Sequence, residues 1–92
     1  MIMWTIIDMV TIYCIEDIND LKYVGSTTVS LKSRLNRHIR SKRNNERMSS
    51  KELNLYNCII YPLETCDESV RYRTERYWIN KIDCVNIRGK YK

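Results

Sequence analysis

The stretch Met9-Val-Thr-Ile-Tyr-Cys-Ile15, followed by Glu16-Asp-Ile-Asn-Asp20 and Leu21-Lys-Tyr-Val-Gly25, decides the fold. Residues 9–15 are dense in β-branched and aromatic side chains and read as a strand. The Asn and Asp residues of 16–20 supply turn chemistry, and residues 21–25 read as a second strand closing a hairpin. Upstream, the start Met1–Val10 is apolar, and residues 2–7 either lengthen the first strand or add another. Asp8 interrupts it, it is too short to span a bilayer, and it lacks a basic leader and a small-residue cleavage site.

Downstream, Ser26-Thr-Thr-Val-Ser30 precedes a helical pattern with Ser30 as N-cap. Leu31, Leu35 and Ile39 form its apolar stripe, Arg34 and His38 stack beside that stripe, and the helix is expected to fray at Asn44-Asn45. A short helix is expected over 49–55, capped by Ser49 or Ser50. Tyr56–Glu64 reads as a third strand. Pro62 cannot donate to a ladder, which makes this an edge strand or one ending near that residue. Asp67 or Ser69 caps a second long helix reaching about Ile82, with Val70, Tyr77, Trp78 and Ile82 as its apolar face. Glu75 projects onto the edge of that face. It is either a carboxylate with a special partner or half of a surface i, i+4 pair with Arg71.

The whole chain has 92 residues, 43% apolar and 29% charged, with seven Tyr, two Trp and no Phe. That is room for one globular domain, 1–92, with its core at about 10–87. The net charge is +5 and is unevenly placed. Residues 32–47 carry Lys32, Arg34, Arg37, Arg40, Lys42, Arg43 and Arg47 against Glu46, a local +6, while the rest sums to −1. Such a window is the footprint of a polyanion partner or a solvated helix face. Cys14, Cys58, Cys66 and Cys84 form no C-x-x-C pair and His38 is the sole histidine, which argues against structural zinc and for free thiols in a soluble, intracellular protein.

Phosphodiester cleavage needs a base for the nucleophile, cations around the phosphoryl oxygens and help for the leaving oxygen. With one plausible interior carboxylate and no acidic pair, a two-metal site is not expected. The composition leaves open a one-metal site assisted by Tyr and Arg.

Thr11-Ile12-Tyr13, then Tyr23-Val24-Gly25, Arg34 and His38 on a helix, and Glu75 in Glu75-Arg-Tyr-Trp-Ile79 together resemble the GIY-YIG nuclease signature. The likeness runs from about Val10 to Ile87 and is closest in flavour to the catalytic domain of homing endonucleases. It implies an α+β fold, a small three-stranded antiparallel sheet flanked by helices in the order ββααβα. It also implies a metal-dependent DNA endonuclease. By the resemblance Tyr13 is a general base or water-positioning group and Tyr23 lines the same pocket. Arg34 contacts the scissile phosphate and His38 assists near the nucleophile. Glu75 binds one divalent ion, Mg²⁺ or Mn²⁺, and Asn86 matches a polar residue after the last helix. Thr11 departs from the usual first glycine. Lys32, Arg37, Arg40, Lys42, Arg43 and Arg47 are expected to hold the backbone of duplex or branched DNA. No membrane partner is expected, and a monomer and a DNA-induced dimer both fit. The rival readings are a non-catalytic nucleic-acid-binding module on the same scaffold, an RNase, and a scaffold subunit for an acidic protein.

Overall fold

The computed structural model describes residues 9–45, 50 and 53–86. Met1–Ile7, Arg47 and Ile87 lie outside the described residues. The described elements are β1 (Met9–Asp17), β2 (Lys22–Thr27), α1 (Leu31–Arg43), β3 (Cys58–Asp67) and α2 (Arg71–Lys81), with a 3₁₀ turn at Glu68–Val70 leading into α2. The three strands form one antiparallel sheet with β1 in the middle, in the order β2-β1-β3. The architecture is thus α+β, reading ββαβα over the described residues. Of the short helix expected over 49–55, only Ser50 and residues 53–55 are described; Ser50 is in a 3₁₀ conformation, and 53–55 are not helical.

β1 and β2 run two residues longer at their C-terminal ends than the propensity pattern predicts, because tertiary pairing extends them. Asp17 is the reason at the turn. Its Oδ1 accepts from the amides of Asn19 and Leu21, and its Oδ2 from Asn54, at 2.7–2.9 Å. Asp20 takes a positive φ of 65°, which Asp tolerates better than most residues. β3 lies at an edge, as Pro62 requires, but continues past it to Asp67. The register shifts between Ile12, opposite Glu64, and Tyr13, opposite Pro62, so Leu63 is the extra residue of a bulge beside Tyr13.

Alternation along β1 sends its side chains to two cores. Val10, Ile12 and Val24 cluster with Ile79 of α2, flanked by Leu63, Cys66, Trp78, Ile82 and Cys84. Tyr13 and Ile15 cluster with Leu53 and Leu55, flanked by Leu31, Leu35 and Ile39 of α1. The α1 stripe is therefore as predicted, and each fully buried aliphatic side chain contributes about 1.5–3 kcal/mol. On α2 the expected apolar face needs correction. Tyr77 is 54% exposed, and Ile79 is the buried residue. The tyrosine's polar tip tolerates water, whereas Ile79 faces the sheet.

Ser30 caps α1 by accepting from the Ser33 amide at 3.1 Å, and Asn44 and Asn45 end it. Asp67 caps the 3₁₀ turn through the Ser69 amide at 2.8 Å. All four cysteines are free, but only Cys14 is fully buried. Among the described residues no helix is long and apolar enough to cross a membrane.

Candidate active site

Hairpin register places the two tyrosines. Tyr13 lies opposite Gly25, and Tyr23 lies opposite Ile15, so the phenols are diagonal neighbours on one face with ring centroids 6.3 Å apart. Gly25 leaves room for them. A Cβ there would stand 2.5 Å from the Tyr13 hydroxyl oxygen, 2.6 Å from its Cζ and 2.9 Å from Cε2 of Tyr23. Its φ is not positive, so what the site requires is the absence of a side chain, not a special backbone conformation.

α1 brings in two more groups one turn apart. Arg34 Nε donates to the Tyr13 hydroxyl at 3.0 Å, and His38 Nε2 lies 2.8 Å from that hydroxyl. The His38 ring stands edge-on to Tyr23 at 5.1 Å and is 5% exposed. On its far side Nδ1 is 2.7 Å from the hydroxyl of Ser50, which is wholly buried. Burial, with the Arg34 and Arg37 charges, lowers the His38 pKa to about 4, so the ring is neutral at pH 7. Burial pushes the Tyr13 phenol above its ordinary value despite the lowering effect of Arg34. Burial likewise raises Tyr23, reinforced by Tyr13 and Glu75. Both phenols are therefore protonated at neutral pH.

α2 contributes the carboxylate. Glu75 Oε1 accepts from the Ser26 hydroxyl at 2.7 Å. Arg71 does not pair with Glu75 as a surface i, i+4 bridge. Its Nε donates to Ser26 Oγ at 2.8 Å, one terminal nitrogen reaches the Ser26 carbonyl at 3.2 Å, and the other pairs with Glu68 at 3.4 Å. Ser26 follows Gly25 directly, so the phenol cluster and the carboxylate converge on two consecutive residues of β2. The Glu75 charge is felt at Tyr13, Tyr23 and Arg34. Beside it lies a cleft of about 120 Å³ lined by Tyr72, Glu75, Arg76 and Ile79.

Two predicted residues are placed differently. The Asn86 amide is spent on the main chain of Val24, accepting from its N–H at 2.9 Å and donating to its carbonyl at 2.6 Å. Lys42 turns inward and donates to the Leu53 carbonyl at 2.5 Å, joining α1 to the segment before β3. Lys32, Arg37, Arg40 and Arg43 are exposed along α1. Thr11 occupies a regular ladder position opposite Thr27 and Thr65, so no glycine is needed there. Ser26, Ser50 and Arg71 have no counterpart in the sequence reading as site residues. Polar identity alone gave no signal, because each acts through a contact distant in sequence.

The model of the GIY-YIG catalytic domain matches residues 9–84. This chain belongs to the GIY-YIG family. GIY-YIG domains are those of nucleases, phosphodiester hydrolases that generally use divalent metals, so the family implies a nucleic-acid substrate. Comparison with curated proteins and with solved structures gave no match. Among the described residues no three or more His, Cys, Asp and Glu side chains gather into a metal cage. A hard divalent ion that keeps its waters and takes substrate oxygens requires only one or two carboxylates. Glu75 fits that requirement, since its Oε1 is oriented by Ser26.

Proposed function

We propose that this GIY-YIG chain is a metal-dependent DNA endonuclease acting through Tyr13, Tyr23, Arg34, His38 and Glu75. One observation carries the reading. The Tyr13 hydroxyl, hydrogen-bonded to Arg34 and His38, and the Glu75 carboxylate converge on Gly25 and Ser26. Consecutive residues of β2 face opposite sides of the sheet, and the two groups are tied by charge: Glu75 is felt at Tyr13, Tyr23 and Arg34, so a phosphate bound at this end of β2 lies in the field of both. Arg34 commits Nε to Tyr13 and keeps its two terminal nitrogens for phosphoryl oxygens, the geometry at which guanidinium excels. Tyr13 positions the attacking water. It acts as a base only by passing its own proton on, and His38 Nε2, neutral at pH 7 and 2.8 Å away, is the acceptor in reach. Tyr23 walls the pocket and packs against His38. Glu75 would hold one Mg²⁺ or Mn²⁺, which when bound supplies positive charge to the phosphoryl and leaving oxygens.

Substrate tracking falls to Lys32, Arg37, Arg40 and Arg43, with Arg47 as a further contact. Lys42 is left out of this track because its ammonium is used internally. Binding is then dominated by phosphate neutralisation and falls steeply with salt. The domain is proposed to be a single unit over 1–92.

The test is to incubate wild type and Glu75→Ala with plasmid, linear and branched DNA and with structured RNA, in Mg²⁺, Mn²⁺ or EDTA. Metal-dependent DNA nicking that disappears in the variant is the expected result. Equal cutting by both proteins defeats the assignment of Glu75. Tight, salt-sensitive binding with no cutting favours a non-catalytic module, and cutting confined to RNA favours an RNase.

A further inference from the structure

We propose that Ser50 is a positioning residue for His38, accepting the proton on Nδ1 and so holding the ring in the tautomer whose Nε2 lone pair faces Tyr13. The consequence for catalysis rests on the nuclease reading above, but the arrangement itself is argued from hydrogen-bond donors and acceptors alone.

The argument begins at Arg34. A guanidinium Nε can only donate, so the Tyr13 oxygen accepts from it at 3.0 Å. The hydroxyl hydrogen of Tyr13 then needs an acceptor. With no substrate bound Tyr13 is wholly buried, so bulk solvent offers its hydroxyl no acceptor, and among the described residues its other hydroxyl neighbour is His38 Nε2 at 2.8 Å. Nε2 must therefore present a lone pair. A neutral imidazole with its lone pair on Nε2 carries its proton on Nδ1, and Nδ1 lies 2.7 Å from Ser50 Oγ. An imidazole free in water favours the opposite tautomer, so the protein must supply an acceptor at Nδ1. Ser50, with no solvent exposure, does so.

The placement of Ser50 is built into the fold. Its carbonyl accepts from the Leu53 amide at 3.0 Å, and the Leu53 carbonyl accepts from Lys42 of α1, the helix that carries His38. Leu53 itself is buried in the core cluster with Tyr13. The ionisable groups facing the ring are Tyr13 and Tyr23 from the hairpin and Arg34 and Arg37 from α1. In the proposed reaction the attacking water's O–H bond breaks and a new O–H bond forms at Tyr13 as the old Tyr13 O–H bond breaks and an N–H bond forms at Nε2, while the water oxygen bonds to phosphorus. No free phenolate accumulates, and Ser50 holds the imidazolium through Nδ1–H.

His38 is the only histidine in the chain, so protein labelled with ¹⁵N in the histidine ring gives two nitrogen resonances with no overlap. At pH 7 the wild type should show a protonated Nδ1 and a lone-pair Nε2. Ser50→Ala should reverse the pattern toward a protonated Nε2, while Ser50→Thr, which keeps the hydroxyl, should retain it. Ser50→Ala should also slow nicking by about 100-fold, the scale of acid–base assistance, with DNA affinity unchanged. A wild-type protein with the proton on Nε2 overturns the proposal even if no variant folds. So does a folded Ser50→Ala with an unaltered tautomer. The expected tautomers in a protein that cuts no nucleic acid would support Ser50's hold on His38 and refute the nuclease reading instead.

Discussion

Gly25→Ala should disable this protein without removing any chemical group. The backbone at 25 has no positive φ, so alanine is allowed there and the whole effect is steric. The new Cβ would sit 2.5 Å from the Tyr13 oxygen, where ordinary contact begins at 3.4 Å, so the phenol must retreat by about 1 Å. Tyr13 has nowhere to go, because it is fully buried and held at 3.0 Å by Arg34 and at 2.8 Å near His38. Overpacking of this kind costs about 1–3 kcal/mol, and weakening the two hydrogen bonds adds about 1 kcal/mol. A total of about 2–4 kcal/mol lowers Tm by roughly 10–25 °C in a domain of this size. A phenol displaced by about 1 Å should cut the cleavage rate by about 100-fold. Circular-dichroism melting and plasmid nicking read the two effects. Adding Gly25→Ala to Tyr13→Ala should cost much less stability than Gly25→Ala costs in wild type, because only the 2.9 Å approach to Tyr23 Cε2 remains. A Gly25→Ala protein that melts within a few degrees of wild type and cuts at a similar rate would refute the placement of Tyr13 over Gly25.

The buried, neutral His38 makes stability depend on pH in a defined window. Its pKa is lowered to about 4 in the fold and returns to about 6.5 on unfolding. The unfolded chain therefore binds the extra proton first, and stability should fall as pH drops from about 6.5 to about 4, by on the order of 3 kcal/mol at most. His38→Gln should flatten that slope in urea titrations run across the window. Asp17 acts lower on the scale. Burial disfavours its charge, but the amides of Asn54, Leu21 and Asn19 outweigh that and hold its carboxyl below the usual range. Its contribution is thus present above about pH 4 and lost as pH falls further. Asp17→Asn should lower stability at pH 7 by about 1–3 kcal/mol and reduce the acid sensitivity below pH 4. Asn86→Ala strands both main-chain groups of the buried Val24 and should cost about 2–3 kcal/mol, while leaving the Tyr13 hydroxyl and its partners in place. Thermal melts together with the Glu75-dependent nicking assay would show stability lost ahead of activity.

The hairpin, the α1 stripe and the edge position of Pro62 were legible because each rests on local pattern: alternation, a four-residue period, a missing N–H. The pairing of Tyr13 with Gly25 follows from the ladder once the turn is placed. What could not be read was set by contacts distant in sequence. Asn86 sits 62 residues from Val24, and nothing near it signals that its amide completes a backbone pair. Ser50 read only as a helix-cap candidate, and nothing near it signals that its hydroxyl meets His38. Lys42 belongs by composition to the basic window, yet the Leu53 carbonyl claims it. Glu75 is the instructive middle case. Helix geometry put it at the margin of the buried face, and only the third dimension showed Arg71 turning to Ser26 and Glu68, which removes the surface ion pair as its explanation.

The hold of Asn86 on Val24 has a meaning beyond stability. β2 forms one side of the sheet, and its outward main-chain groups are a template onto which a strand from another molecule would add. Asn86 occupies both groups of Val24, and the Val85 amide takes the Lys22 carbonyl at 2.8 Å. Two residues thus imitate the partner strand that is not there. They occupy the main-chain groups at Lys22 and Val24 that an added strand would use, as Arg71 occupies the Ser26 carbonyl, so these three residues and not a strand satisfy this margin.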